Sequence, residues 1–425
     1  MANYLRSRGL EPPHPSTLPP SSAYQRKLIA SLTLKAVTPI LGGGARSGLP
    51  DPCDPIRTSA IRGQLRWWWR ARSRKRWATP EDLRAEETAE WGGTDCPGRI
   101  SVRLVVVKAP SSPKQIHEIE SAQGVKYAWK VLDNATNPGA KPSATEGAEF
   151  SVEILGRPDP ERDGAIAEAL TLWATFGGLG MRTRRGFGAF QPVSGVCDWQ
   201  TILRPLLKLE AQETKVATLA GARLYLGPPS QYPLQAWKEA VEVVRAFRKG
   251  EVPDAGRRDH HGPDSHSPWP QADAIRRIQE TGHQAKRGLN ASGSKMLHLP
   301  MVGFGAPITY NSASGRDTDG LAFNPVTITY KDGRIPSPVI ARPVFQDSKW
   351  RAALLILNTP EPDRAKVQIP DCTSDRISLS AKSWPGSLYQ GRKSWKPFLG
   401  KFQRIEQVFE QYVGEFLFPK GWTKL

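Results

Sequence analysis

The chain has 425 residues, with 59 Lys and Arg against 41 Asp and Glu, a formal charge of +18. That length allows two domains, and the charge favours a polyanionic partner. No apolar run approaches the roughly 20 residues needed to span a bilayer, and no long basic amphipathic helix ends the chain, so a membrane is not an expected partner.

Four cysteines (Cys53, Cys96, Cys197 and Cys372) lie far apart without a C-x-x-C pair. This fits a reducing cytoplasm and excludes a cysteine zinc site. His260, His261 and His266 share a Gly/Pro/Asp-rich stretch that reads as a solvated loop rather than a metal site. No metal or other cofactor is expected. Residues 1–25 are rich in Pro, Ser and Arg without an apolar core, so they read as a disordered leader and not a signal peptide.

Lys27 to Val37 alternates apolar and polar residues and predicts a first strand. Thr38 to Gly48 follows as a glycine-rich loop. Gly43 and Gly48 have the Walker spacing, but Leu49 and Pro50 stand where the lysine and hydroxyl should be. Arg57 to Arg76 reads as a helix with Thr58 or Ser59 as N-cap and with Ile61, Leu65, Trp68 and Trp69 facing inward. Arg62, Arg66 and Arg70 form a stripe beside that face. No Asp or Glu occurs from Pro55 to Pro80, so the stripe, with Arg57, is a candidate for phosphate contact. The three tryptophans Trp67, Trp68 and Trp69 read mainly as core, with base stacking open to one of them.

A short acidic helix is expected over Glu81 to Glu90, and a strand over Arg99 to Lys108. Residues 109–148 read as a long polar insertion, and Glu149 to Leu155 as another strand. Glu161 to Thr175 predicts a helix with Ile166, Ala169, Leu170 and Trp173 inward. It runs directly into Thr175 to Phe190, where Gly177, Gly178, Gly180, Gly186 and Gly188 surround Arg182, Arg184 and Arg185. Glycine permits close backbone approach and arginine offers a planar donor fork for phosphate. Thr183 replaces the third glycine of G-x-G-x-x-G, and no G-K-[ST] follows, so an extended phosphate backbone is a better ligand than a mononucleotide. Gly186 to Val193 is expected to be the next strand. The order is then βαββαβ, an α+β ferredoxin-like arrangement of the kind many single-stranded RNA binders use.

Residues 197–296 read as helical, including Leu234 to Lys249 and Trp269 to Thr281, the latter with Ile275 and Ile278 inward. Met296 to Tyr310, Pro325 to Tyr330, Val339 to Phe345 and Trp350 to Leu357 read as strands, and Phe402 to Phe416 as an amphipathic helix. The expected organisation is a leader (1–25), an N-terminal ferredoxin-like domain (26–200) and a second, diverged one with a helical insertion (201–425). Arg334, Arg342 and Lys349 could extend a nucleic-acid path across the second domain.

The T-P-I-L-G-G loop, the S-A-I-R-G-Q-L-R-W-W-W-R helix and the F-G-G-L-G-x-R-x-R-R-G-F-G loop resemble the RAMP superfamily of CRISPR effector proteins. Within it they are most similar to the family of first-numbered RAMP subunits of type III-B (Cmr) complexes. Pro336 to Pro343 resembles a later segment of that family. The resemblance implies tandem ferredoxin-like domains near the 3′ end of the guide crRNA, where guide and target RNA are held beside other Cmr subunits. DNA is not implied as the primary ligand. It also implies that the loop from Gly177 to Gly188 contacts RNA.

No catalytic residue is expected. His14 and His117 are poorly placed for a general acid or base, and His298 reads as a core or edge residue. Asp51 and Asp54 read as turn formers, and the clustered carboxylates of a two-metal nuclease are missing from the basic motifs. A non-catalytic RNA-binding subunit is therefore the leading expectation. A metal-independent RAMP endoribonuclease and a protein–protein scaffold for acidic partners remain open alternatives.

Overall fold

The computed structural model describes residues 26–51, 53–74, 77, 79–133, 141–195, 197–251, 269, 297–310, 326–331, 333–369, 377–381 and 401–425. The leader, the His260/His261/His266 loop, Cys372 and all but the first residue of the helix expected from Trp269 lie outside the described residues.

The N-terminal half runs β1 (Lys27–Ala36), α1 (Thr58–Arg72), α2 (Pro80–Trp91), β2 (Ile100–Lys108), β3 (Glu149–Gly156), α3 (Pro160–Phe176) and β4 (Phe190–Ser194). The four strands form one sheet in the order β2-β3-β1-β4, each neighbour antiparallel to the next. Period-two patterning decides which face is covered. Phe150, Val152 and Ile154 of β3 and Leu32 and Leu34 of β1 are buried in one core with Ile61, Leu65 and Trp68 of α1 and Ile166, Leu170 and Trp173 of α3. Thr33 and Ser151 meet on the opposite face, 2.8 Å apart.

Local chemistry sets the helix starts. The α2 entry is a reciprocal capping box: Asp82 N–H donates to the Thr79 hydroxyl and Thr79 N–H to the Asp82 carboxylate, with Pro80 in the first turn. The Asp159 carboxylate accepts from the N–H groups of Glu161 and Arg162 at the start of α3. In α1 the expected hydroxyl cap is not used. Arg57 takes the N-cap position without a side-chain cap bond, because the helix already begins at Thr58. The helix also stops at Arg72, where Ser73 turns extended.

Residues 109–148 are more than a polar excursion. Their described part holds short strands at Lys114–Gln115 and Ser143–Thr145 and a helix at Lys126–Asp133. Ser143–Thr145 pairs with Ile40–Leu41, inside the segment read as loop after β1. Ile116, Ile119, Ala122, Val125 and Trp129 build a separate small core with Leu41, Phe187, Trp237 and Val241. Ile116, Ile119, Ala122, Val125 and Trp129 recur every three or four residues, but across short elements within a largely polar segment.

The C-terminal half runs α4 (Trp199–Leu207), β5 (Thr218–Ser230), α5 (Pro233–Lys249), β6 (Val339–Gln346), β7 (Lys349–Asn358), α6 (Ile405–Phe416) and β8 (Thr423–Lys424). Its sheet has the order β6-β7-β5-β8, again antiparallel throughout. Strand for strand, this repeats the order of the first sheet. The helical reading of 197–296 is corrected by β5, a central 13-residue strand containing Gly221, Gly227, Pro228 and Pro229. The strand expected over Met296 to Tyr310 is broken into Leu297–His298, a 3₁₀ turn at Pro300–Phe304 and Ile308–Tyr310.

The second sheet is covered on both faces. Leu224, Leu226, Ile340, Val344, Ala353 and Leu355 join the core of the N-terminal half, while Val339, Ala341, Leu354 and Ile356 pack with Val244 and Phe247 of α5 and Phe409 and Val413 of α6. Two-sided burial explains the continuous apolar run of β7 and the loss of alternation in β5. It also explains why Leu170 to Phe176 of α3 is buried at every position.

Candidate nucleic-acid interface

The glycine-rich stretch leaves α3 at Phe176 and re-enters the sheet at Phe190. It is tied to the exit of β1: Gly188 N–H donates to Pro39 O (2.8 Å), Met181 N–H to Leu41 O (2.7 Å), and the Thr38 hydroxyl to Gly186 O (2.7 Å). The glycines make this double layer possible. A Cβ on Gly188 would lie 2.1 Å from Leu179 O, and one on Gly180 2.5 Å from Leu41 O, both at positive φ. Cβ atoms on Gly177, Gly178 and Gly186 would meet Trp173, Gly188 O and the Trp237 ring at 2.3, 2.8 and 2.5 Å. The expectation that these positions leave room for a ligand's backbone is therefore corrected. The groups they admit belong to the protein itself.

What the folded-back loop presents is the turn Thr183–Arg185, entered through Arg182 in the left-handed region at φ 59°. The turn has two working sides. On one side the Arg184 guanidinium lies over the Trp67 ring, 5.4 Å from its centroid, and donates to Ser337 O. Here Gly63, Gln64, Trp67 and Arg70 of α1 meet Phe176, Gly177, Thr183 and Arg184 of the loop and Ile340 of β6 around a cleft of about 310 Å³. The two sequence foci are thus walls of one cleft. Of the three consecutive tryptophans, Trp68 and Trp69 are core, and Trp67 is partly exposed.

On the other side, Arg182 and Arg185 meet residues from three other segments. The Arg185 guanidinium stands 5.1 Å from the Tyr127 ring centroid, and Trp237 Nε1 donates to Arg185 O at 2.7 Å. Burial pulls the Arg182 pKa down to about 10, with Arg185, Arg334 and Arg248 adding to the effect. Arg185 is lowered by burial and by Arg248. Burial alone would raise the Tyr127 phenol, yet Arg248 and Arg185 bring it below its ordinary value. Among the described residues no carboxylate acts on Arg182 or Arg185. Arg182, Arg185, Arg248 and Arg334 together form a shelf of concentrated positive charge.

The α1 stripe is placed differently from expectation. Its charges have partners, supplied by the next helix: Arg66 and Arg70 both hold Glu87 Oε1 at 2.6 Å. Arg62 donates to the carbonyls of Trp91 and Gly92 at the end of α2. Arg57 donates to Gly43 O, which pins the first glycine loop to the start of α1. Arg62 and Arg66 also line an open hollow of about 660 Å³ with Arg84 and Thr88. Arg342, considered for a nucleic-acid path, is wholly buried on the face of β6 that carries Ile340 and Val344, and burial lowers its pKa to about 9. Arg334 and Lys349 are exposed.

Tyr127 and Arg248 carried no signal in sequence. One lies in the insertion and the other at the end of α5, and only tertiary structure brings them to Arg185. Asp51 does form the expected turn, accepting from Cys53 and Asp54 N–H, and these two bonds lower its pKa. His298 is buried, as its strand position suggested. Among the described residues no three His, Cys, Asp or Glu side chains are gathered as a metal site, and no helix is long and apolar enough to cross a membrane.

A family model covers the segment that holds both foci. Residues 33–191 match the RAMP superfamily. The resemblance carried by the glycine loops and the tryptophan-rich helix is matched over this segment, which runs from β1 into β4. No curated protein matches the sequence. Among solved structures, Cmr1 from Pyrococcus furiosus in its apo form is 13% identical with a TM-score of 0.48, over 93% of this chain and 97% of that one. A type III-B Cmr-beta structure bound to cognate target RNA gives 11% identity and a TM-score of 0.41, over 80% and 97%. A second, with cognate target RNA and AMPPnP in the presence of ssDNA, gives 11% and 0.37, over 79% and 96%.

Proposed function

We propose that the chain is a non-catalytic RNA-binding subunit of a cytoplasmic type III-B (Cmr) CRISPR effector ribonucleoprotein. Its ligand is the 3′ part of the guide crRNA with its paired target RNA, and its neighbours are other Cmr subunits. The observation that carries this reading is the shelf of Arg182, Arg185, Arg248 and Arg334, where among the described residues no carboxylate acts on Arg182 or Arg185. Arg66 and Arg70, by contrast, share the carboxylate of Glu87. The arginines on the shelf fit phosphate oxygens, whose counterions they would displace. Arg184 and the Gly177–Gly188 loop, through its Thr183–Arg185 turn, bring a strand to the shelf, and Arg57, Arg62, Arg66 and Arg70 of α1 extend its path.

Both halves are read as ferredoxin-like domains, 26–200 and 201–425. The strand order repeated in the two sheets supports that reading. Such a subunit reads the RNA backbone more than its base edges.

The test is equilibrium binding of a single-stranded RNA by the wild type and by an Arg182→Gln/Arg185→Gln/Arg334→Gln variant, with RNA integrity read in the same samples. Tight binding of intact RNA that the variant loses supports the proposal. RNA cut by the protein alone, or equal binding by the variant, overturns it.

A further inference from the structure

The first sheet ends on β2, and that edge is open. Among the described residues β2 is hydrogen-bonded to β3 alone. Ile100 is buried, and Val102 and Leu104 pack on the core. Beyond them Val105, Val106 and Val107 are 44, 49 and 58% exposed. Val105 stands opposite Ser151 on the outer face and Val106 opposite Phe150 on the core face. The valine run therefore overhangs the core, open on both faces as well as along its edge. A free edge strand is a row of unpaired N–H and C=O groups, which proteins commonly blunt with charges, Pro or a short length. β2 has nine residues, and its Arg103 and Lys108 flank the valines without interrupting them.

The charges choose among occupants. Arg103 keeps 60% of its side-chain surface exposed while paired with Glu153, Lys108 is exposed, and β2 contains no acid. A second copy joined antiparallel through the valines would crowd two Arg103 and two Lys108 onto one ribbon, and like charges across a strand pair repel. Residues 1–25 of the chain suit the edge no better, since they contain Arg6 and Arg8 against Glu11, and five prolines that cannot donate to a ladder. We propose that the open edge of β2 takes an extended segment of another protein chain as an added strand, with β-branched residues against Val105, Val106 and Val107 and acidic residues against Arg103 and Lys108. In strand addition the main-chain bonds supply affinity and alternate side chains supply the choice of sequence. The arginine shelf takes no part in this contact, so the site stands whether or not the chain binds RNA.

The probe is a fluorescein-labelled peptide, Glu-Thr-Val-Thr-Val-Glu, whose acidic ends are spaced to meet Arg103 and Lys108. It is compared by anisotropy with a form ending in Lys at both positions and with a form methylated at every peptide nitrogen. The acidic peptide is expected to bind, the Lys-ended one about tenfold more weakly, as reversing two cross-strand charge pairs allows, and the methylated one not at all. Val105→Lys/Val107→Lys, both at exposed positions, should abolish binding with an unchanged melting curve, and Lys108→Glu should narrow the gap between the two peptides. Failure of the acidic peptide to bind the folded protein, equal binding of the two charge forms, or binding of the methylated form overturns the proposal, and none of these readings needs a variant. A concentration-dependent dimer of the wild type that Val105→Lys/Val107→Lys breaks would assign the edge to a second copy instead, and displacement of the peptide by RNA would assign it to RNA.

Discussion

The Arg184 guanidinium lies 5.4 Å from the centroid of the Trp67 ring and donates to the carbonyl of Ser337, so one side chain joins the loop after α3, helix α1 and the entry to β6. Arg184 is a staple between the two halves as well as a wall of the cleft. Replacing it by Ala removes a cation–π contact and a charge-assisted hydrogen bond, at a cost of about 1–3 kcal/mol. Lys cannot stack and donate in one plane, so Arg184→Lys should recover little of that loss. Urea denaturation of the two variants checks this.

The glycines of the loop and of α1 should behave oppositely. Gly188→Ala places a Cβ against Leu179 O in a left-handed backbone, and is expected to cost at least about 2 kcal/mol. Gly63→Ala meets open space inside a helix and should stabilise by about 0.4–1 kcal/mol. Thermal melts of the two proteins should move in opposite directions.

Glu87 holds Arg66 and Arg70 together. Glu87→Gln should lower stability by about 1–3 kcal/mol, since the arginines are only partly buried. It should also raise non-specific affinity for heparin, because two cations are released. A heparin column and a denaturation curve measure the two effects on one sample.

Arg99 is buried between Glu90 at 2.8 Å and Asp163 at 2.6 Å. Burial alone would raise the Asp163 pKa, but the Asp159 N–H and Arg99 hold it below its ordinary value. A depressed carboxylate stabilises the fold above its unfolded pKa, about 3.9, and that contribution disappears as pH falls through the lower folded value. Stability should therefore drop below about pH 4, and Asp163→Asn should flatten that limb. Melting temperatures across an acidic pH series give the result.

Much of the N-terminal half was legible because each element carries its own signal. The β3 alternation, the i, i+4, i+7 spacing of Ile61, Leu65 and Trp68, and the inward Ile166, Ala169, Leu170 and Trp173 of α3 are local. The second half was less legible because its sheet is covered on both faces. β5 lost its alternation and its glycines and prolines read as breakers, while β8 is only two residues long. At the site, composition marked Arg182, Arg184 and Arg185, but the α1 stripe, read as having no acidic partner nearby, has one. Its acid, Glu87, lies 17 residues beyond Arg70, outside any window in which the stripe looked unpaired. Glycines that fold a loop onto itself also look, in sequence, like glycines that admit a ligand. Only the contacts of Gly180 and Gly188 separate the two.

The central claim is that the shelf around Arg182 and Arg185 binds RNA phosphates. The measurement that tests it most directly is the salt dependence of single-stranded RNA binding by wild type and by the Arg182→Gln/Arg185→Gln variant. Wild-type affinity is expected to fall steeply with salt, and the variant to lose about 0.7 of slope for each phosphate contact removed. A variant whose affinity and slope equal those of the wild type would contradict the account.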